Sequence, residues 1–113
     1  MRNPKKLAIN AARRSDLLHR MGAVIVAPNG FVLGKGYNTK SRGNPLAYAW
    51  STHAEVAAVR SALKKYKPGS YGRWLMYVVR LNQKGEQMLA KPCVRCSRIL
   101  DGLDVDVDWS PWK

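Results

Sequence analysis

Residue types that bind transition metals lie in two short segments of the sequence. In the first segment, His53 stands two residues before Glu55. In the second, the two cysteines of the chain, Cys93 and Cys96, form a C-x-x-C directly after a proline. Zinc binds thiolates and neutral imidazoles in a tetrahedral array, and a catalytic zinc keeps one position for water. One imidazole and two thiolates leave that position available, so the pattern favours a catalytic zinc site.

Glu55 has a defined task if a zinc ion lies nearby. Zinc lowers the pKa of a bound water toward neutrality, and a neighbouring carboxylate can then accept and return the proton. Positions two apart diverge by about 200° on a regular helix, so His53 must occupy the irregular helix start for both side chains to face one site. The alternative is a capping box, in which the side chains of Thr52 and Glu55 only cap backbone N–H groups at the start of the helix.

Each motif has a simpler interpretation when it is taken alone. A C-x-x-C is also typical of a redox pair or of two core thiols, and an H-x-E at a helix start is typical of a cap. The two motifs together, in this order, favour a zinc-dependent enzyme over either interpretation.

The chain is strongly basic. It has 20 Lys and Arg against 7 Asp and Glu, a net charge of +13. Only Asp16, Glu55 and Glu86 are acidic within residues 1–100. Such a charge attracts polyanions or phosphorylated small molecules, although a solvated basic surface without a ligand would give the same composition.

Length and composition indicate a single domain over residues 1–113. A hydrophobic content of 46% supports a buried core. No apolar run approaches the ~20 residues of a membrane span, and the first residues lack the apolar centre of a signal peptide. We therefore expect a soluble cytoplasmic protein with no membrane contact.

The first part of the sequence predicts a helix and a hairpin. Asn3 and Pro4 fit the N-cap and first turn of a helix over about residues 3–20. "GAVIVAP" and "GFVLGKGYN" are strand patterns joined at Pro28-Asn29-Gly30, a strong hairpin signal. Residues 39–51, rich in Gly, Pro and Ser, predict a loop.

The second part predicts alternating helices and strands. A helix over about residues 52–66 precedes a mostly buried strand over 73–81, and residues 82–91 predict a turn and a short return strand. A short helix then ends at Gly102, and alternation in "DVDVDW" predicts a last strand with Val105 and Val107 inward. The order αββαβ(β)αβ indicates an α/β fold with helices packed on a mixed sheet.

The two motifs resemble a known family. "HAE" at 53–55 and "PCVRC" at 92–96 match the H-x-E…P-C-x-x-C signature of the zinc-dependent cytidine deaminase superfamily. The upstream "HRMGAVIVAPNGFVLGKGYN" is similar to the first hairpin of its deoxycytidylate and tRNA-adenosine deaminase branch. The resemblance implies a three-layer α/β/α fold, with a central mixed sheet of four to five strands flanked by helices, and Zn²⁺ as the cofactor.

The resemblance also implies roles for individual residues. The zinc ligands would be His53, Cys93 and Cys96, and Glu55 would carry the proton. The implied reaction is hydrolytic: water activated by zinc attacks the ring carbon that carries the exocyclic amine, and ammonia leaves.

The same resemblance implies the residues that contact the substrate. Asn38, at the end of "GYN", would hold the sugar, and Met21 would line the base pocket. Ala54 and Pro92, which lie within the two motifs, are also assigned to substrate binding.

Two substrate classes fit these features. One is a free cytosine nucleotide such as dCMP; the other is cytosine or adenine within single-stranded DNA or tRNA, for which a basic surface would follow the backbone. A basic zinc module that binds nucleic acid without catalysis is a third interpretation, and Glu55 argues against it. The small size of the chain and the resemblance lead us to expect a homo-oligomer, a dimer or larger.

Overall fold

The computed structural model describes residues 3–15, 17, 19–40, 51–91 and 94–112, and for residues 40, 51–52 and 94–96 it describes the backbone alone. Within these ranges the chain forms three helices and seven strands. The helices are α1 (Pro4–Ala12), α2 (Ala54–Leu63) and α3 (Val94–Gly102). The strands are β1 (Arg20–Val26), β2 (Val32–Tyr37), β3 (Thr39–Lys40), β4 (Ser51–Thr52), β5 (Leu75–Leu81), β6 (Gln87–Met88) and β7 (Asp106–Trp109).

α1 begins where the sequence predicts and ends earlier. The Asn3 side chain accepts a hydrogen bond from the Lys5 N–H at 3.0 Å, and a proline occupies the first turn. The helix ends at Ala12 and not near residue 20. There the backbone hydrogen bonds span three residues in place of four, as in the bond from the Ser15 N–H to the Ala12 carbonyl. The Ser15 hydroxyl then accepts a hydrogen bond from the Leu17 N–H. Serine that bonds its local backbone in this way competes with helix continuation.

Five strands form the central sheet, which is mixed as predicted. β2 and β1 form the expected antiparallel hairpin, and β1 pairs antiparallel with β5. The outer side of β5 has two neighbours: β7 runs parallel to its first half, and β6 antiparallel to its end. Outside this sheet, β3 and β4 form a short antiparallel pair at the two ends of the predicted loop, whose residues 41–50 lie outside the described ranges.

Helices cover both faces of the sheet, which confirms the predicted three layers. On one face, α1 packs Ala8 and Ala12 against Val24 and Val79. On the other face, α2 packs against the opposite side chains of β1 and β5, and Leu100 brings α3 into the same core. No helix in the described part of the chain has the length and apolar character that crossing a bilayer requires.

α2 lies unusually close to β2. A Cβ added to Gly36 would lie 2.5 Å from the Ala58 nitrogen and 2.8 Å from the Ala54 oxygen. Gly34 meets α2 backbone at similarly short distances. Glycine in the strand and alanine on the helix therefore fix the distance between the start of α2 and the end of β2.

Ser110 joins β5, β6 and β7 at the sheet edge. Its side chain is fully buried, donates to the Met88 carbonyl at 2.6 Å and accepts from the Arg80 N–H at 3.1 Å. Its backbone N–H donates to the Val78 carbonyl, and its carbonyl accepts from the Ala90 N–H. The Ser110 hydroxyl thus makes hydrogen bonds to one backbone group of β5 and one of β6, which would otherwise need to bond to each other or to water.

Candidate active site

His53, and not Thr52, is the N-cap of α2. Thr52 lies in β4, where it pairs with Thr39, so its backbone is held in a strand and cannot begin the helix. His53 has an extended backbone, with φ −71° and ψ 144°, and its side chain makes no capping hydrogen bond. The predicted helix start at Thr52 is therefore wrong by one residue, and the alternative interpretation as a capping box is excluded, because Glu55 is the second helical residue and the box requires the third. The prediction that His53 occupies the irregular helix start is confirmed.

Glu55 is a buried carboxylate in the first turn of α2. Only 2% of the residue is exposed, and its Oε1 has no hydrogen-bond partner among the described residues. A buried polar atom without a partner costs free energy, so proteins keep few of them and chiefly at functional sites. The unpaired N–H groups at a helix N-terminus favour a negative charge at this position. The Glu55 carboxyl group is thus buried without a described partner for Oε1, and the catalytic role predicted from the sequence stays a prediction.

Asn38 ties the end of β2 to the start of β1. Its Oδ1 accepts from the Met21 N–H at 2.8 Å, and its Nδ2 donates to the His19 carbonyl at 2.7 Å. The residue is 6% exposed. An amide oxygen has two lone pairs and an amide nitrogen two hydrogens, so one of each remains for another group. Asn38 is held rigidly and retains a donor and an acceptor.

The fold brings the first-hairpin residues to the start of α2. Ala54, the first residue of α2, is fully buried, and its carbonyl lies against Gly36, two residues before Asn38. The Met21 side chain packs on the same core as Ala54. Asn38, Met21 and Ala54, which the sequence predicts to contact substrate, therefore lie at the same end of the sheet as Glu55.

The second motif is only partly described. Pro92 and Cys93 lie outside the described residues, and Cys96 falls within α3, for which only the backbone is described at that position. The C-terminal part of α3 packs Leu100 into the core that contains Ala54.

The residue types of the two motifs fit a bound zinc ion, although the residues that the structure describes do not include the side chains of the two cysteines. An imidazole at an extended helix start and two cysteines supply the nitrogen and sulfur donors that zinc prefers. The partnerless oxygen of Glu55 supplies an acceptor for a water at that metal. The types of the donor atoms and the partnerless oxygen of Glu55 are both consistent with a zinc ion that binds a water.

Arg80 is a candidate binding residue that the sequence reasoning missed. It lies opposite Met21 in the sheet, and its Nη2 is 3.0 Å from the His19 Nδ1. Its Nε is buried and has no hydrogen-bond partner among the described residues. The signal in the sequence was an arginine inside the otherwise apolar run "LMYVVRL". A guanidinium that can only donate therefore lies beside the residues that hold Asn38.

Comparison with known proteins identifies the family. The family model for the cytidine and deoxycytidylate deaminase zinc-binding region matches residues 2–106. No individual curated protein matches the chain at a significant level.

Solved structures share the fold. A cytidine deaminase from Burkholderia pseudomallei is 24% identical with a TM-score of 0.65, and the match covers 86% of this chain and 71% of that one. A cytidine deaminase from Mycobacterium tuberculosis is 22% identical with a TM-score of 0.64, covering 95% and 81%. A dCMP deaminase from the cyanophage S-TIM5 is 17% identical with a TM-score of 0.57, covering 94% and 96%.

The family match spans nearly the whole chain and both motifs, and the fold agrees with it. Zinc is the cofactor of this family, and its reaction is the hydrolytic deamination of a nucleobase. The chain belongs to the cytidine and deoxycytidylate deaminase family of zinc-dependent hydrolases.

Proposed function

We propose that the chain converts cytosine to uracil in a free deoxycytidine nucleotide such as dCMP. The observation that carries this proposal is Glu55, a buried carboxylate with a partnerless oxygen at the start of α2. A structural role does not account for a buried carboxyl oxygen that has no hydrogen-bond partner among the described residues and belongs to a motif of metal-binding residue types. The family match and the similarity to a dCMP deaminase support the reaction and the substrate class.

His53, Cys93 and Cys96 hold the zinc ion in this proposal. When bound, zinc acts as a Lewis acid that makes water nucleophilic near neutral pH. His53 leaves the strand pair of β3 and β4 just before the helix begins, so its imidazole lies on the same turn as Glu55. Cys96 falls within α3, and Cys93 directly precedes the first residue of that helix in the sequence; the two cysteines contribute the thiolates.

Glu55 moves the protons of the reaction. Its carboxylate takes a proton from water as the water oxygen bonds to C4, and delivers that proton to N3 of cytosine. It then takes the second proton from the new C4 hydroxyl and gives it to the exocyclic nitrogen as the C4–N bond breaks. The balance is one cytosine and one water giving one uracil and one ammonia. Burial keeps other water away from the carboxylate, which strengthens its interaction with the reacting groups.

Asn38, Met21 and Arg80 bind the nucleotide. Asn38 offers its remaining amide hydrogen and lone pair to the sugar, and Met21, with Ala54 and Pro92, borders the base. The buried Nε of Arg80 lies next to these residues and has no partner among the residues that the structure describes, which favours a phosphorylated substrate over a free nucleoside.

The strongly basic surface favours a second candidate substrate. A net charge of +13 exceeds what one nucleotide phosphate requires, and among the described residues a single ion pair, between Arg73 and Asp106, offsets it. The second candidate function is therefore deamination of cytosine or adenine within single-stranded DNA or tRNA. A homo-oligomer, dimer or larger, would extend the surface available to such a strand.

A substrate panel distinguishes the candidates. The zinc-loaded protein is incubated separately with dCMP, dCTP, deoxycytidine, single-stranded DNA and tRNA, and uracil, hypoxanthine and ammonia are measured. We expect the highest kcat/KM with dCMP. If only DNA or tRNA is deaminated, the proposal of a free nucleotide substrate is wrong and the second candidate function is supported. If none of the substrates is deaminated, both candidate functions are wrong.

A further inference from the structure

A groove crosses the outer side of β2, between α1 and α2. It has a volume of about 390 Å³, and its polar lining residues are Asn10, Arg14, Lys35, Tyr37 and Ser61. Among the described strands β2 pairs only with β1, so the groove lies along a sheet edge that has no second neighbour. We call it the edge groove.

The edge groove is suited to an anion. Arg14 and Lys35 are exposed, and no Asp or Glu is among the lining residues that the structure describes. The single described ion pair of the chain involves neither cation. Asn10 and Ser61 add neutral donors on the two walls, which is a composition that suits phosphate oxygens.

Three aromatic rings lie at the far end of β2. Phe31 directly precedes the strand, and it packs edge to face with Tyr66 and Tyr71 at centroid distances of 5.9 and 5.5 Å. Phe31 is 44% exposed and Tyr71 62% exposed. Exposed cations follow the C-terminus of α2 at the same end of the molecule: Lys64, Lys65 and Lys67.

β2 connects these features. Asn38 follows its last residue and Phe31 precedes its first, so the candidate active site and the ring cluster are separated by about 20 Å, the length of six strand residues. Lys35 lies between them on the strand. Cations followed by exposed rings match the way single strands bind, with phosphates on basic groups and unpaired bases stacked on aromatic faces.

We infer that the edge of β2 binds single-stranded nucleic acid. Arg14 and Lys35 contact phosphates in the edge groove, and unpaired bases stack on Phe31 and Tyr71. This site goes beyond the proposed deamination, because a strand bound here need not contain the base that reacts. The shared ligand chemistry is the backbone of a single strand, DNA or RNA.

Binding is measured with strands that offer nothing to deaminate. Fluorescence anisotropy of labelled oligothymidine and oligouridine reports binding to the zinc-loaded protein at low salt, independently of the reaction. The test variant is Arg14→Glu with Lys35→Glu. The matched control is Arg98→Glu with Lys84→Glu, which has the same change of charge at exposed positions outside the groove.

We expect the groove variant to weaken binding at least tenfold and the control less than threefold. The slope of log K against log salt should fall by about 1.4 for two lost phosphate contacts on a single strand. Equal losses in the two variants would overturn the site, since total charge would then explain the binding. Absence of binding by the unaltered protein to both oligonucleotides would also overturn it.

The ring cluster has its own test. Phe31→Leu with Tyr71→Leu keeps apolar side chains and removes the stacking faces; Trp109→Leu removes an exposed ring at the opposite sheet edge as a control. We expect at least a fivefold loss of single-strand binding for the double variant, little loss for the control, and no change in binding to a duplex of equal length. An unchanged single-strand affinity, or an equal loss on the duplex, contradicts base stacking. Retained dCMP turnover shows that the variants fold.

Discussion

At the scale of single residues, two side chains stand out because their buried polar atoms lack partners. The Oε1 of Glu55 and the Nε of Arg80 are buried without hydrogen-bond partners among the described residues. They lie on elements that meet at the same end of the sheet, the start of α2 and the end of β5. A carboxylate oxygen accepts and a guanidinium N–H donates, and we propose that both atoms serve the reaction and the substrate in these capacities.

Glu55→Gln separates catalysis from folding. The substitution keeps the shape of the side chain and removes the carboxylate that moves protons, so we expect ammonia release to fall about 10²-fold or more. The melting temperature should not fall, because the amide has the same shape and the buried Oε1 has no hydrogen-bond partner to lose among the described residues. Glu86→Gln, in an exposed turn, is the control and should keep full activity. Full activity of the zinc-loaded Glu55→Gln variant would show that another group carries the proton.

Arg80→Gln reports on phosphate recognition. Losing a charge-assisted hydrogen bond should raise KM for dCMP about tenfold or more, while kcat/KM for deoxycytidine, which has no phosphate, stays within threefold. Arg60→Gln, on the exposed side of α2, should change neither value. If both substrates lose the same factor, Arg80 supports the fold and does not bind phosphate.

At the scale of elements, contacts between neighbouring segments position the site. The first turn of α2 carries His53 and Glu55, and its separation from β2 is fixed by backbone contact at Gly36. β7 is held near the start of β5 by Asp106, whose carboxylate accepts from Arg73 Nε at 2.6 Å and Nη2 at 2.9 Å. The contact at Gly36 is buried, whereas the pair of Arg73 and Asp106 is exposed. We therefore expect substitutions at Gly36 to lower the free energy of unfolding much more than substitutions in that pair.

Gly36→Ala should displace the start of α2. Its Cβ would lie 2.5 Å from the Ala58 nitrogen, and a backbone atom cannot move aside as a flexible side chain can. We expect a loss of about 1–3 kcal/mol in the free energy of unfolding and a lower kcat, because Glu55 moves with the helix. Gly102→Ala meets nothing within 4 Å and should keep both values. Chemical denaturation and steady-state kinetics measure the effects, and an unchanged Gly36→Ala variant would contradict the close packing.

The ion pair of Asp106 and Arg73 should stabilise the folded state at neutral pH and not at acidic pH. The hydrogen bond and charge of Arg73 lower the pKa of Asp106, so the folded state favours the ionised carboxylate. The stabilisation is present at neutral pH and is lost as the pH falls below about 4, through the lowered pKa. Asp106→Asn should therefore melt slightly below the unaltered protein at pH 7 and equal to it near pH 2. A difference that persists at low pH would assign the stabilisation to packing.

At the scale of the whole molecule, zinc would join segments far apart in the sequence. His53 and Cys96 lie on either side of β5 and β6 along the chain, and helices α2 and α3 pack on the same sheet face. A ligand that binds only the folded state stabilises it by mass action. The metal should therefore contribute to both stability and activity.

Removing zinc should lower the melting temperature and abolish deamination. A chelator applied to the unaltered protein tests this, with metal content measured before and after and activity restored by added zinc. Cys96→Ser, which removes one proposed ligand, should melt at the same temperature with or without chelator. Full activity after the metal has been shown to be lost would contradict the zinc mechanism.

The sequence by itself determined the family, the order of the elements and the residue types of the site. Periodicity and turn residues are local signals, so the hairpin and the buried strand β5 could be predicted, whereas the three layers were implied by the resemblance to a known family. The end of α1 could not, because a local Ser15 hydrogen bond competes with the helix there.

Only the tertiary structure decided that Glu55 is not part of a capping box and that Arg80 lies near Asn38. A capping box and a reactive carboxylate share one sequence pattern, and the pairing of Thr52 with Thr39 excludes the first. Arg80 and Met21 are distant in sequence and become neighbours only through sheet register. Cross-strand contacts and burial depend on the packing of distant segments, which no local pattern encodes.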